Sequence, residues 1–271
     1  MIRDITIGQY YPANSLVHKL DPRVKLFVTL LYIIALFTYK GVAGFVLITC
    51  FLTGSIYISK VPFKYMVKGL KAILILLLIT SAFNLLLTPT GTVYWKYGVF
   101  QITDEGISNA VTMTIRLVYL ILGTSLMTLT TTPKQLTDGL EKALHPLNRI
   151  NVPVHAIAMM MSIALRFIPI LIEETDKIMK AQMARGADFE TGGIIKKAKN
   201  MVPLLVPLFV SAFRRADDLA MAMEARCYNG GEGRTKMKPL AYARRDYVVY
   251  AWSIIFMAAV IVLRIFLPFP Q

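Results

Sequence analysis

Two short segments, 41 positions apart, carry the clearest chemical signal in this sequence. Asp176–Gly186 reads DKIMKAQMARG and Asp217–Cys227 reads DDLAMAMEARC, so that both segments end in the same Ala-Arg pair. Each has the pattern of a helix that stops just after this pair. A guanidinium in the last turn of a helix can form forked hydrogen bonds to a carboxylate or to backbone carbonyls of another protein. Two matched cationic ends therefore indicate two similar partners.

A cation near the end of a helix also has a purely structural explanation. It complements the helix dipole, which is worth about 0.3–1 kcal/mol without any partner. That explanation requires a cation but does not require the same ending twice, with Ala181 and Ala222 each three residues before the last alanine. Small residues on one helix face leave room for close approach. We therefore predict docking sites at Ala184, Arg185 and Gly186 and at Ala225, Arg226 and Cys227.

The composition is that of a membrane protein. Of the 271 residues, 56% are apolar and only 17% are charged. Several runs reach the roughly 20 apolar residues that cross the hydrocarbon core, and a lipid-exposed backbone must satisfy its own hydrogen bonds. We therefore predict an all-α integral membrane protein. The net charge of +14 fits a large cytoplasmic face and not nucleic-acid binding, because the basic residues flank apolar spans.

Five transmembrane helices are predicted from the apolar runs. They are about Leu26–Tyr39, Val42–Ser59, Leu70–Leu87, Gly106–Thr131 and Tyr247–Leu267. One side of this arrangement receives eight basic residues: Arg3, Lys19, Arg23, Lys25, Lys60, Lys64, Lys68 and Lys71. The other side receives three: Lys40, Lys96 and Arg264. The positive-inside rule then predicts a cytoplasmic N-terminus and an external C-terminus. The external loop Thr88–Glu105 is expected to be a short hairpin or an interfacial loop.

The segment Thr132–Asp246 is predicted to stay on the cytoplasmic side. It holds 18 Lys/Arg and 12 Asp/Glu, although Val152–Ile172 is long enough to cross. If that stretch crossed alone, both Ala-Arg ends would lie outside, and if Met201–Phe213 crossed as well, the two ends would face opposite sides. We therefore expect about three amphipathic helices at the cytoplasmic surface, near Pro133–Leu144, Pro153–Ala184 and Gly193–Ala225. A six- or seven-span protein is the alternative.

The domain organisation follows from these predictions. Residues 1–131 form transmembrane helices one to four, residues 132–245 form the cytoplasmic helical domain, and residues 246–271 form the fifth transmembrane helix. Catalytic motifs such as Gly-x-Ser-x-Gly, His-Glu-x-x-His and the Walker loop do not occur. Arg116 is a basic residue well inside a span, and it should face a partner or snorkel to the interface. A membrane protein with paired docking ends but no ATP site is expected to be one subunit of a complex whose energy source lies in other subunits.

The N-terminal region carries a second pattern. It reads Gly8-Gln9-Tyr10-Tyr11-Pro12, then Ser15 and His18, then Leu20-Asp21-Pro22-Arg23-Val24-Lys25-Leu26. Together with five spans and two Ala-Arg endings, this pattern resembles the transmembrane T component of energy-coupling factor (ECF) transporters. The resemblance covers nearly the whole chain, and the N-terminal motif is more similar to the shared T components than to those dedicated to cobalt or biotin.

The resemblance implies partners and residue roles. T components join two ABC-type ATPases, expected here to be a heterodimer, to an exchangeable membrane S component that binds a vitamin or a metal ion in the prokaryotic cell membrane. It implies that Arg185 and Arg226 dock in grooves of the ATPases, which carry ATP and Mg²⁺, while this chain binds no cofactor. Contact with the S component is expected at Met159, Met160, Met161, Pro169, Pro203 and Pro207.

Three other functions remain alternatives at this point. A self-contained secondary transporter would carry its substrate site on broken helices near the bilayer midplane. A membrane-bound enzyme would cluster titratable residues at one depth. A scaffold that binds anionic lipid through its basic helices would give no special weight to Arg185 and Arg226.

Overall fold

A computed structural model describes residues 10–38, 41–88, 90–97, 100–189, 193–230, 237 and 239–266. The helices are α1 Pro22–Thr38, α2 Val42–Ser59, α3 Phe63–Leu87, α4 Asp104–Thr130, α5 Pro133–Leu144, α6 Val154–Ala184, α7 Ile194–Glu224 and α8 Arg244–Phe266. A short 3₁₀ helix, His145–Ile150, follows α5, and two strands, β1 Val93–Tyr97 and β2 Phe100–Thr103, precede α4. Predictions that involve Arg3, Gly8, Gln9, Tyr39, Lys40 and Leu267 lie outside the described residues.

The chain divides into two compact units. One is built from Leu140–Pro239 and contains α6 and α7. The other combines Gly8–Gly139 with Leu240–Gln271 and contains α1 to α4 and α8. The protein is therefore an all-α membrane protein with one small hairpin, and each unit is described separately below.

The predicted helices are confirmed, with shifts at their ends. α2 and α5 have the predicted bounds, and α5 begins with a capping box in which Thr132 and Gln135 exchange hydrogen bonds between side chain and backbone amide. The third helix starts at Phe63 instead of Leu70, because a basic first leg, Phe63–Lys71, precedes the apolar leg Ile73–Leu87 at an angle of 61°. The prediction did not include this basic segment, because it was based on apolar residues alone.

Four described helices are individually long and apolar enough to cross a membrane, namely α2, α4, α6 and α8, and the bent α3 would be a fifth. This set differs from the predicted one at two places. The 17 described residues of α1 are fewer than a full crossing, at about 1.5 Å per residue, requires. By length and composition α6 does qualify, although it carries Arg166 and a hydrogen bond between His155 and Glu141.

The larger unit packs around a core shared by α1, α2, α4 and α8. Its centre contains Tyr32, Leu36, Ile48 and Phe256, all buried. The Tyr32 hydroxyl donates to the backbone carbonyl of Tyr119, which fixes α1 against α4 over a distance of 2.9 Å. The expected hairpin also forms, with β1 and β2 antiparallel immediately before α4.

The entry into α1 explains the Asp-Pro-Arg-x-Lys pattern. Asp21 caps the helix by accepting a hydrogen bond from the Arg23 amide at 2.9 Å. The Arg23 guanidinium also donates hydrogen bonds to both carboxylate oxygens of Asp21, each at 3.0 Å. Pro22 takes the first helical position, where a missing N–H costs nothing. The Lys25 ammonium donates to the backbone carbonyls of Thr130 at 2.8 Å and His18 at 3.3 Å. The motif thus joins the start of α1 to the end of α4.

Arg116 is buried inside α4 with contacts that the sequence did not predict. Its guanidinium lies 5.3 Å from the centre of the Phe37 ring, and Nη1 lies 3.9 Å from the sulfur of Met113. The acidic residues of α4, Asp104 and Glu105, lie in its first turn, about three turns before Arg116. The observed contacts are therefore with an aromatic face and a thioether instead of a carboxylate.

Candidate functional site: two matched helix ends

The first matched end closes α6. The helix stops because Gly186 adopts the left-handed backbone conformation, with φ of +88°, which glycine accepts without strain. The Gly186 amide donates to the Met183 carbonyl and the Ala187 amide donates to the Gln182 carbonyl, each at 3.0 Å. These two bonds form the Schellman arrangement, which satisfies carbonyls that the helix itself leaves free. The closing hydrogen bonds therefore define the backbone conformation on both sides of Arg185.

The second matched end closes α7 in the same way. The Cys227 amide donates to the Glu224 carbonyl at 2.8 Å, and the Tyr228 amide donates to the Met223 carbonyl at 3.0 Å. Cys227 has φ of +53°, so a cysteine holds the left-handed position that glycine holds in the first end. Every one of these bonds maps onto its counterpart in α6 under the offset of 41 residues. The repeat in the sequence is thus a repeat in backbone structure.

Arg185 and Arg226 occupy equivalent places in the two endings. The sequence placed them in the last helical turn, whereas the regular helices end at Ala184 and Glu224 and each arginine lies immediately within the closing turn. Both arginines are exposed, and neither guanidinium makes a hydrogen bond or ion pair within the described part of the chain. The alanines beside them, Ala184 and Ala225, are exposed as well. Two unpaired guanidiniums on thin helix ends are available to a partner.

An ion pair joins α6 to α7 at equivalent positions of the repeat. Arg215 donates to a carboxylate oxygen of Glu174 at 2.8 Å, and the two residues are 41 positions apart. A contact between a residue and its own counterpart is what a local twofold relation between the helices produces. Arg185 lies eleven residues after Glu174, and Arg226 lies eleven residues after Arg215. The two docking ends are thus the same length of helix away from the contact.

A groove lies between α6 and α7 beside this ion pair. Its α6 wall consists of Ile163, Phe167 and Leu171, and α7 contributes Ala212, Leu219, Met223 and neighbouring residues. The walls are almost entirely apolar. An apolar groove next to adaptable methionine side chains suits packing against another apolar helix.

The predicted S-component contacts fall on exposed or half-buried positions. Met160, Met161, Pro169 and Pro203 are exposed, whereas Met159 and Pro207 are half-buried. A larger exposed feature on α7, outside the predicted contacts, is a stripe of apolar residues that starts about two turns into the helix. The stripe consists of Met201, Val202, Leu205, Val206, Phe209, Val210 and Phe213. Its spacing of three and four residues was visible in the sequence, but the stretch Met201–Phe213 was considered as a possible membrane crossing.

The part of the chain that the structure describes holds no cluster suited to a metal ion. Among the residues that the structure describes, no three His, Cys, Asp or Glu side chains lie close enough together to hold a metal ion. The acidic residues Asp217 and Asp218, which precede the second ending on α7, are exposed. The two endings present exposed charge, and the groove between α6 and α7 presents an apolar surface.

Comparison with known proteins places the chain in a family. A family model described as "Cobalt transport protein" (CbiQ) matches residues 13–237. The energy-coupling factor transporter transmembrane protein EcfT of Clostridium kluyveri is 55% identical over 266 residues, covering 98% of both chains. The EcfT of Ruminiclostridium cellulolyticum is 53% identical over 264 residues, covering 97% of this chain and 98% of the relative. The EcfT of Bacillus subtilis is 48% identical over 264 residues, with 97% and 100% covered.

The fold defines a multi-pass α-helical membrane protein in which two helices have matching, exposed ends. The extent and identity of the matches then settle its family. The chain belongs to the family of energy-coupling factor transporter transmembrane proteins, the T components of these transporters.

Proposed function

We propose that this chain couples ATP hydrolysis by two ABC-type ATPase subunits to substrate uptake through an S component of an energy-coupling factor transporter. One observation carries the proposal: Arg185 and Arg226 are displayed unpaired, among the described residues, on two helix ends with the same backbone hydrogen bonds. Each guanidinium enters a groove of one ATPase subunit, and the exposed alanines beside it let the groove walls approach closely. A charge-assisted hydrogen bond of this type contributes about 1.5–3 kcal/mol.

Movement passes from the ATPases to the helix pair. When ATP draws the two subunits together, each carries one arginine with it, and the two helices turn about the contact between Glu174 and Arg215. Since both ends are the same length of helix from this contact, equal displacements of the two ATPases give a symmetric change in the angle between the helices. ATP and Mg²⁺ belong to the ATPases, and this chain binds no cofactor.

The S component packs on the apolar surfaces of the same two helices. The exposed stripe of α7, the groove between α6 and α7, and the residues around Met159–Met161 and Pro169 supply adaptable contact area. Methionine-rich surfaces accept more than one partner, which fits a T component that serves several exchangeable S components. The S component holds the vitamin or metal ion, and no substrate touches this chain.

This function requires both arginines in the cytosol of a prokaryotic cell. The N-terminus is then cytoplasmic, the C-terminus is external and α6 does not cross the membrane, as the distribution of basic residues favours. The chain offers a native probe, because it has two cysteines and exposed Cys227 follows Arg226 directly. In a Cys50→Ser background, a membrane-impermeant maleimide should label Cys227 in inside-out vesicles and not in intact cells. Labelling from outside would refute the proposal.

Docking is tested by reversing both charges. The double variant Arg185→Glu, Arg226→Glu should lose association with the ATPases and abolish uptake, while single variants retain part of both because the other end still binds. The matched control is Lys177→Glu, Arg214→Glu, which makes the same charge change at exposed positions of the same two helices. If both double variants lose activity equally, the basic surface acts only as a lipid scaffold. ATPase binding should also protect Cys227 from the maleimide.

A further inference from the structure

A cavity of about 760 Å³ lies within the transmembrane unit, between α1, α2, α4 and α8. Its walls are apolar side chains and include Val28, Leu47, Phe51, Leu126, Phe256 and Ala259. Gly54 of α2 also lines it, and a Cβ placed there would meet nothing within 4 Å. This volume lies in the range of about 300–1,000 Å³ typical of sites for small molecules. The proposed docking function makes no use of it.

Two cations line the cavity at one end. Lys25 comes from the first turn of α1 and Arg245 from the first turn of α8, and Thr130, at the end of α4, lies beside them. Lys25 is only 5% exposed, and its two recorded hydrogen bonds to carbonyls leave one of its three N–H donors uncommitted. Arg245 is exposed and makes no hydrogen bond or ion pair within the described residues. A buried donor and a free guanidinium at one end favour an anionic group there.

The cavity reaches the surface of the bundle. Leu16, Ile58, Val248 and Trp252 line it and are exposed, Leu16 by 65% and Trp252 by 64%. For helices that cross a membrane, such an opening faces the hydrocarbon of the bilayer. The charged end coincides with the starts of α1 and α8 and the end of α4, which is the side where basic residues concentrate. Basic pockets between transmembrane helices on the cytoplasmic side are a recurrent mode of anionic lipid recognition.

We propose that this cavity is a binding site for one anionic phospholipid of the cytoplasmic leaflet. An acyl chain fills the apolar volume beside Phe51 and Phe256, and the phosphate takes hydrogen bonds from Arg245 and from the uncommitted N–H of Lys25. The lipid thereby bridges α1, α2 and α8. Charge complementarity at one end and apolar walls elsewhere match the phosphate and the acyl chain of one phospholipid.

Native mass spectrometry of the full-length chain tests the site in nanodiscs made from phosphatidylcholine with phosphatidylglycerol. The wild-type chain should retain one phosphatidylglycerol. Arg245→Gln should lower that retention about tenfold, as expected from loss of a charge-assisted hydrogen bond. Arg264→Gln, the same change at the other end of α8, should leave it unaltered. Equal retention of both lipids, or no effect of Arg245→Gln, would overturn the proposal.

A second variant and a native cysteine examine the apolar part. Gly54→Phe should fill the open space and exclude the acyl chain without disturbing Arg245, so that retention falls although the charge is unchanged. Cys50 also lines the cavity, so a photo-reactive group attached there in a Cys227→Ser background should cross-link to lipid. The same experiment in the complete transporter complex decides between occupants. A cross-link to another protein chain in place of lipid would show that a partner fills the cavity.

Discussion

The carboxylate of Asp246 accepts a hydrogen bond from the backbone amide of Asp21 at 3.0 Å, across 225 positions of sequence. Its other oxygen accepts from the amide of Ala243 at 2.7 Å, just before α8 begins. One buried side chain therefore satisfies the starts of both α1 and α8. The start of α1 at Asp21 and the start of the last helix are therefore held together by one side chain. The separation of 225 positions gives no sign of this contact in the sequence.

Replacing Asp246 by asparagine should destabilise the larger unit by about 1–3 kcal/mol, because an amide side chain can accept from only one of the two backbone donors and leaves the other buried and unpaired. Thermal unfolding of the purified chain, followed by fluorescence-detected size-exclusion chromatography, measures the loss. Asp218→Asn, the same chemical change at an exposed position of α7, serves as the control. An unchanged melting temperature for Asp246→Asn would contradict this role.

Gly123 permits the close approach of α1 to α4. A Cβ at this position would lie 2.3 Å from Cε1 of the Tyr32 ring, and Tyr32 is buried and hydrogen-bonded to the Tyr119 carbonyl. Gly123→Ala should therefore cost about 1–3 kcal/mol of stability through overpacking. Adding Tyr32→Leu should recover part of the loss. Gly54→Ala, where the new methyl group meets open space, should cost no stability, and a similar loss there would point to backbone effects instead.

Local rules in the sequence predicted much of this architecture. The predicted start at Pro133 matches α5, the predicted stop near the Ala-Arg pair matches the ends of α6 and α7, and the offset of 41 residues located the two matched helix ends. Long-range contacts could not be obtained in this way, because nothing in composition or period links Asp21 to Asp246 or Glu174 to Arg215. The cavity beside Gly54 is likewise a property of packed helices and not of any one segment.

Cys227 occupies a backbone conformation that favours glycine. Its φ of +53° costs an ordinary residue about 1 kcal/mol, and the equivalent Gly186 at +88° avoids this cost. Cys227→Gly should therefore stabilise the end of α7, and Gly186→Ala should weaken the end of α6 by a similar amount. Hydrogen exchange at the amides of Cys227 and Tyr228 reports the first change directly. Cys227→Ala keeps the strained conformation and should show no slower exchange than the wild type.

The N-terminal segment should respond to acid through His18. Its ring nitrogens lie 2.7 Å from the Ser15 hydroxyl and 2.9 Å from the Tyr11 carbonyl. Burial, with the positive charge of Lys25, lowers the pKa of His18 below its ordinary value of 6.5, although the bond to Tyr11 opposes this. Below pH 6.5 the His18 side chain therefore binds more protons in the unfolded chain than in the folded chain. Stability falls as the pH is lowered, until the pH drops below the pKa of His18 in the folded chain. The melting temperature of the wild-type chain should therefore fall between pH 7.5 and pH 5.5. The decline should be smaller in the His18→Gln variant.

The ion pair between Glu174 and Arg215 gives a test of the helix contact that is independent of the docking ends. Both side chains are partly exposed, so the pair contributes at most about 1 kcal/mol to stability, and its effect should appear mainly in coupling. Glu174→Arg or Arg215→Glu alone places like charges at the contact and should lower the uptake obtained per ATP hydrolysed, while ATPase binding remains. The double variant restores opposite charges and should recover most of the coupling. Asp217→Arg, a charge reversal at an exposed position of α7, should leave coupling unchanged. Additive losses in the double variant would show that the two helices do not turn about this contact.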